Sequence, residues 1–246
     1  MAELLDRARD NHGVRLHGVG VGSAGPITRQ LETVSPVNIP SWRDFPLRSR
    51  LAELTGLPVH GDLDAKALAL AEGWLGAAQG QSSFCAMTVS TGVGGGIVLD
   101  GELLDGETGN AGHIGHVIVE PDGHRCGCGA RGCLEAEASG TAIAAITGRP
   151  AAAADAETVV RTGTLVGRAV ASVANLLDLR LAVVAGSVAL GFGEPFFVAA
   201  QAEIDRRSRL DHSAGTVIRP GRLGADGPLV GAAAVGWRGL DATPVP

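Results

Sequence analysis

Three of the chain's four cysteines stand within one short stretch, CGCGARGC, as Cys126, Cys128 and Cys133. The glycines between them let the backbone turn tightly enough for the thiolates to converge. Soft thiolates at that spacing suit a tetrahedral Zn2+, which takes four nitrogen or sulfur ligands. In a reducing compartment such a cluster reads as a metal site rather than as disulfides. Histidine is the natural fourth ligand, and two qualify: His116, upstream across the turn-forming PDGH, and His124, closer in sequence.

A second group of residues has the types for handling phosphate. STGVGGG at 90–96 follows an apolar run that reads as a strand, and its glycines let backbone N–H groups come close to an anion. In a chain with 37 glycines the pattern carries little weight alone. Ala185-Gly186-Ser187, after LAVV, is a weaker second turn of the same kind. Asp64 stands where PVHGD gives way to a helix. A carboxylate there can take a proton from a bound hydroxyl or cap the helix, and Asp62 shares both options. His113-Ile114-Gly115-His116 spells the adenylate-binding signature of one class of aminoacyl-tRNA synthetases. That chemistry also needs a downstream loop with two lysines, and Lys66 is the only lysine in the chain.

These residues need a scaffold, and composition bounds it. With 246 residues, 45% of them hydrophobic, the chain has ample length for a core. A net charge of −6 excludes a general nucleic-acid binder, which needs a basic face to displace counterions. Tyrosine is absent and aromatics make up 3%, which excludes stacking platforms for single strands. The start, MAELLDRARDNHG, is amphipathic and charged, unlike a secretory leader. The longest apolar stretch, around LAVVAGSVAL, is too short and too glycine-broken to span a bilayer. The expectation is a cytoplasmic protein without membrane or nucleic-acid partners.

Periodicity then assigns the elements. Helices are expected over 3–10, FPLRSRLAELTG (stopped by Gly56), DAKALALAEGWLGAAQG, ASGTAIAAIT, AETVVRTGTLVGRAVASVANLLD, EPFFVAAQAEIDRR and GPLVGAAAVGW. Strands are expected in RLHGVGVGSAG, PVHGD, SFCAMTVS, GIVLDGELL as its hairpin partner, LAVVAG and TVIRP. SPVNIPSW is a loop, because its prolines forbid regular structure. Strands mixed with helices make this an α/β protein.

The order of the pieces adds a resemblance. The Gly-Pro turn, NIPSW, PV…DLDAKALALAE, STGVGGGIVLDGELLDGETGNAGHIGH, CGCGARGCLEAEASG and VVAGSVA follow one another as in the ROK family of bacterial sugar kinases, repressors and open reading frames. The resemblance covers nearly the whole chain. It implies an actin/hexokinase-like (ribonuclease H-like) fold of two α/β domains around a cleft. Residues 1–77, completed by the final helix at 228–246, would form the sugar side, and 78–227 the nucleotide and zinc side. It further implies an ATP-dependent sugar kinase, glucokinase-like, using ATP with Mg2+ and a small-molecule sugar, and assembling as a dimer or tetramer. By motif position Asp64 matches the general base. Asn38, His113, His116 and Glu135 fall at the sugar; Thr91, Gly92, Gly94, Gly95 and Gly186 fall at the nucleotide. Of the two histidines, His116 resembles the zinc ligand, joining Cys126, Cys128 and Cys133 in a structural site.

Three departures from the family pattern carry expectations of their own. Its Asn-Asp pair is Leu63-Asp64 here, which predicts a lost amide and an apolar surface toward the sugar. The Glu of its Glu-x-Gly-His motif is His113, which exchanges an acceptor for a group that can donate. Both changes point away from glucose. Members also open with a strand, an Asp-x-Gly-Gly-Thr turn and a hairpin partner, whereas this sequence starts at what resembles the following helix. The expectation is an incomplete N-terminal sheet and little or no ATP-dependent kinase activity from these residues alone. The alternative is a non-catalytic, regulatory sugar-binding protein; without a helix-turn-helix segment, direct DNA control is not expected.

Overall fold

A computed structural model describes residues 2–10, 15–36 and 39–240. In chain order the helices are α1 (Ala2–Asp10), α2 (Leu47–Thr55), α3 (Asp64–Trp74), α4 (Leu134–Ala138), α5 (Gly140–Thr147), α6 (Ala156–Leu177), α7 (Ser187–Phe192), α8 (Glu194–Arg207) and α9 (Gly227–Gly239). The strands are β1 (Val19–Ser23), β2 (Val59–Leu63), β3 (Phe84–Val89), β4 (Val93–Leu99), β5 (Glu102–Leu103), β6 (Leu181–Ala185) and β7 (Val217–Pro220). No described helix is long and apolar enough to cross a membrane.

The larger sheet has the order β5-β4-β3-β6-β7, with β3 antiparallel to β4 and parallel to β6. Its centre explains the gapless apolar run FCAMTV. Cys85, Met87 and Val89 face one core, shared with Val166, Val170, Phe196 and Ala200 of α6 and α8. Phe84 and Ala86 face a second core with Ala69 of α3. A strand covered on both faces has no polar alternation to show.

The smaller sheet is β1 and β2, parallel and in register from Val19↔Val59 to Ser23↔Leu63. Among the described residues these strands pair only with each other. α9 returns the end of the chain to this side and packs on α3 and β1.

Three expectations need correction. The glycines of STGVGGG do not form one long loop. The turn is only Ser90–Gly92, and Gly94, Gly95 and Gly96 lie inside β4, paired with Thr88, Met87 and Ala86. A Cβ on Gly94 would stand 2.8 Å from that of Ala65, and one on Gly96 2.8 Å from Ala69 Cβ, so the missing side chains let α3 lie against the sheet. The helix after Asp64 stops at Trp74, because the Glu72 carbonyl accepts from both Gly76 and Ala78 in a turn. ASGTAIAAIT belongs to two helices, broken at Ser139, whose hydroxyl caps α5 by accepting from Ala142 N–H at 3.0 Å.

Candidate active site

The β2–α3 junction separates the two aspartates that the sequence left equivalent. Asp62 is buried, with its Oδ1 3.0 Å from Lys66 Nζ and accepting from Leu63 N–H at 2.8 Å. Burial raises its carboxyl above the ordinary aspartate range despite Lys66. Asp64 opens α3 and, among the described residues, has no cationic side chain bonded to it; its Oδ1 accepts from Ala65 N–H at 2.7 Å. Asp64 is exposed to solvent. Desolvation by the surrounding protein raises its carboxyl, outweighing the lowering by Ala65 N–H and by nearby His113.

Leu63 overturns an expectation. It offers no apolar surface to a ligand: its side chain is 3% exposed and packs with Ile27, Leu31 and Val34 in a small core. Side chains alternate along a strand, so the residue between Asp62 and Asp64 is turned away from both. Leu63→Asn is therefore expected to destabilise the protein by roughly 3 kcal/mol or more, through lost apolar burial and an unpaired amide. Urea unfolding would show this as a lower midpoint at unchanged slope. Unchanged stability with a new preference for glucose would restore the sugar-facing role.

His113 and His116 come from a loop fastened at three points. Lys66 is 1% exposed, and its ammonium meets Asp62, Asp105 at 2.8 Å and the Gly109 carbonyl at 3.1 Å. Arg238 of α9 adds a bond to Asp105 at 3.1 Å. Burial alone would raise Asp105, but Lys66 and Arg238 hold it below its ordinary value. Asn110 exchanges bonds with the backbone of Ile27, donating at 2.9 Å and accepting at 3.3 Å. Sequence reasoning missed Lys66, Asp105 and Asn110. The available clue was one lysine in the otherwise small, apolar run DAKALALA.

The loop leads into a 3-10 turn, Ile114–His116, where the His113 and His116 rings lie 5.9 Å apart. Desolvation lowers His113 below the ordinary histidine value, helped by His116 and opposed by Glu135 and Asp64. His113 is thus within electrostatic reach of Asp64, His116 and Glu135. Glu135, on α4, accepts from Val93 N–H at 3.0 Å, tying this group to the β3–β4 turn. Asn38 lies outside the described residues.

Thr91 and Gly92 form that turn at the end of β3. It is braced by Gly140 N–H on the Ser90 carbonyl at 2.7 Å, Thr141 Oγ1 on the Thr91 carbonyl at 2.9 Å, and a 3.0 Å contact between the Ser90 and Ser187 hydroxyls. Gly186 follows β6 with φ of 100°, and its backbone lies against Val89 at the end of β3. Thr91, Gly92 and Gly186 therefore meet at the carboxyl ends of adjacent parallel strands, the usual ligand crevice of an open α/β sheet. Gly94 and Gly95, within β4, serve packing.

The cysteine cluster is equally defined. One donor atom each from His116, Cys126, Cys128 and Cys133 lie within 4.8 Å of one another. Cys126 Sγ is 3.7 Å from His116 Nδ1, and the Cys128 and Cys133 sulfurs are 3.7 Å apart. Thiolates bound tetrahedrally at the usual Zn–S distance are separated by about 3.8 Å, so the four donors fit zinc. His124 belongs elsewhere: its Nδ1 lies 3.0 Å from buried Glu137, which also receives Arg161 at 2.6 Å.

The chain is similar to known proteins over most of its length. The model of the ROK family matches residues 1–237. A glucokinase of Thermotoga maritima is 50% identical over 127 residues, covering 51% of this chain and 40% of that enzyme. An N-acetylmannosamine kinase of Haemophilus influenzae is 39% identical over 209 residues, 78% of this chain and 70% of the relative. Among solved structures, a ROK hexokinase from Thermus thermophilus superposes with a TM-score of 0.87 at 37% identity, covering 98% of this chain and 86% of that one. The alignment thus spans less than half the length of the Thermotoga glucokinase.

Proposed function

The chain belongs to the ROK family and has its actin/hexokinase-like fold, and from that premise we propose that it is an ATP-dependent sugar kinase with Asp64 as its general base. The observation that carries this reading is the division of labour at the β2–α3 junction. Asp62 is spent on Lys66, while Asp64 has, among the described residues, only a backbone partner and a carboxyl raised by its surroundings.

Asp64 takes the proton of a sugar hydroxyl as that oxygen forms its bond to the γ-phosphorus of ATP, while the bond from that phosphorus to the β,γ-bridging oxygen breaks and ADP leaves with the electron pair. Phosphoryl transfer of this kind is mostly positioning and charge stabilisation. The backbone at Thr91, Gly92 and Gly186 meets the phosphates, whose Mg2+ arrives with the nucleotide. Sugar is held on the side formed by residues 1–77 and the returning helix, nucleotide on the side formed by 78–227. Glu135 accepts from sugar hydroxyls, and the His113 imidazole can donate, or accept when it is unprotonated. His116 turns Nδ1 toward Cys126, which leaves Nε2 to donate toward the cleft. Zinc, when bound by His116 and the three cysteines, supplies structural cross-linking of the loop that presents His116 and Glu135.

The relatives' names select the sugars to try. A coupled assay of ADP release over glucose, mannose and N-acetylmannosamine is expected to show sugar-dependent turnover. Calorimetric sugar binding without any turnover would instead make the chain a non-catalytic sugar-binding protein, and absence of both would remove the kinase reading.

A further inference from the structure

Helix α3, which begins at Asp64, ends near a second carboxylate that the chemistry above leaves unused. Glu72 is 0% exposed. Among the described residues, its side chain is met by backbone N–H groups alone: Ala77 donates to Oε2 at 2.7 Å, while Arg222 at 3.0 Å and Leu223 at 3.4 Å donate to Oε1. Its own carbonyl accepts from Gly76 at 3.2 Å and from Ala78 at 3.0 Å.

Those amides belong to the two stretches by which the chain passes between the sides of the molecule. One, 75–83, leads from α3 to β3; the other, 221–226, leads from β7 to α9. Glu72 and Arg222 are 150 residues apart in sequence. The backbone is drawn close enough to exclude side chains. A Cβ on Gly221 would lie 2.9 Å from Glu72 Oε1 and 2.8 Å from Ala185 Cβ, and one on Gly76 would run into the carboxylate.

A buried anion is costly unless it is fully hydrogen-bonded, and bonds from N–H to a carboxylate are roughly twice as strong as neutral ones. Once formed, this cluster resists separation, because water does not reach it to replace the lost bonds. Its partners are main chain, so it fixes the path of both crossings rather than the rotamer of a flexible arm. Hinges are a few loop or element-terminal residues that absorb a backbone rotation. α3 transmits any such rotation to Asp64 as a rigid rod.

We propose that Glu72 is a hinge pin, a positioning residue that holds both crossings at one point so that Asp64 turns against the β3–β4 and β6 turns along a defined path. Its part in the reaction rests on the kinase reading; the pin itself does not.

The test compares Glu72→Gln with the parent chain by hydrogen exchange and steady-state kinetics. The amide keeps the side chain's shape but replaces one acceptor with a donor facing N–H groups. Exchange is expected to quicken about tenfold or more at 76–78 and 221–224, while the amides of β3 and β6 keep their protection. The kcat and the sugar KM are expected to change together, as hinge variants do, whereas Asp64→Asn takes kcat alone. Should Glu72→Gln not fold, Gly221→Ala disturbs the same junction with the carboxylate intact and is expected to quicken Arg222 and Leu223 in the same local way. Unchanged exchange at both crossings overturns the pin. So does uniform acceleration that includes β3 and β6, which marks an ordinary packing residue. Loosened crossings with unmoved kinetic constants overturn its part in the reaction. A parent chain without turnover counts against the kinase reading and leaves the exchange pattern to decide the pin.

Discussion

Asp64→Ala is expected to lower sugar phosphorylation by roughly two to four orders of magnitude, the usual contribution of a positioned general base. Sugar affinity should change far less, because proton removal belongs to the transition state and not to ground-state binding. Asp64 also bonds Ala65 N–H at the start of α3, so the alanine variant loses some helix stability. Asp64→Asn separates the two roles: it keeps an oxygen for Ala65 N–H and loses the base. If Asp64→Asn turns over normally, the residue is a helix cap and nothing more.

The pH dependence has a definite sign. The base acts as the ionised carboxylate, so the rate falls as pH drops through its pKa. Desolvation raises that pKa, so the acid limb of the kcat/KM profile should lie above the range of an ordinary aspartate, about 3.9. His113 is held below the usual histidine value, chiefly by desolvation.

Cys133→Ser is expected to abolish stoichiometric zinc binding, which in the parent should be about one equivalent per chain from a four-ligand site. Structural zinc contributes on the order of 10 kcal/mol where a fold depends wholly on it. The effect should be smaller here, because the loop has other anchors. Glu137 joins His124 to Arg161 of α6, and Arg168 of the same helix donates to the Val119 carbonyl at 2.7 Å. Loss of metal should therefore loosen 117–133, seen as faster exchange there and a lower thermal midpoint, with β3, β6 and α8 still protected. Turnover should fall as well, since the proposed mechanism makes His116 both zinc ligand and sugar contact, and Glu135 stands two residues after Cys133. Full zinc content and an unshifted midpoint in Cys133→Ser would sink the assignment.

Much of this was legible in the residues. EPFFVAAQAEIDRR and the strands FCAMTV and LAVVA stand where their patterns put them, because burial on one or both faces leaves its mark within a few neighbours. The clustered cysteines declare themselves for the same reason: their spacing is local, and so is the turn that gathers them. Asp64 was visible as a carboxylate at a strand-to-helix junction.

The tertiary structure decided what each of these faces. His124 is nearer to the cysteines in sequence, but Glu137 and Arg161 draw it aside and His116 enters the cluster. Leu63, one residue from the candidate base, is turned into the small core, since the pleat of β2 and not its neighbour in sequence sets its direction. Gly94 and Gly96 resemble a phosphate loop, yet they are missing side chains that admit α3. Lys66 stands out as the one lysine of DAKALALA, but neither it nor Glu72 shows in a window of residues what it will bond. Asp105 and Arg222, the partners that give them their roles, arrive from distant parts of the chain. Sequence fixes which groups can bond and how local backbone bends; which of them meet in a buried, low-dielectric contact depends on the packing of whole elements.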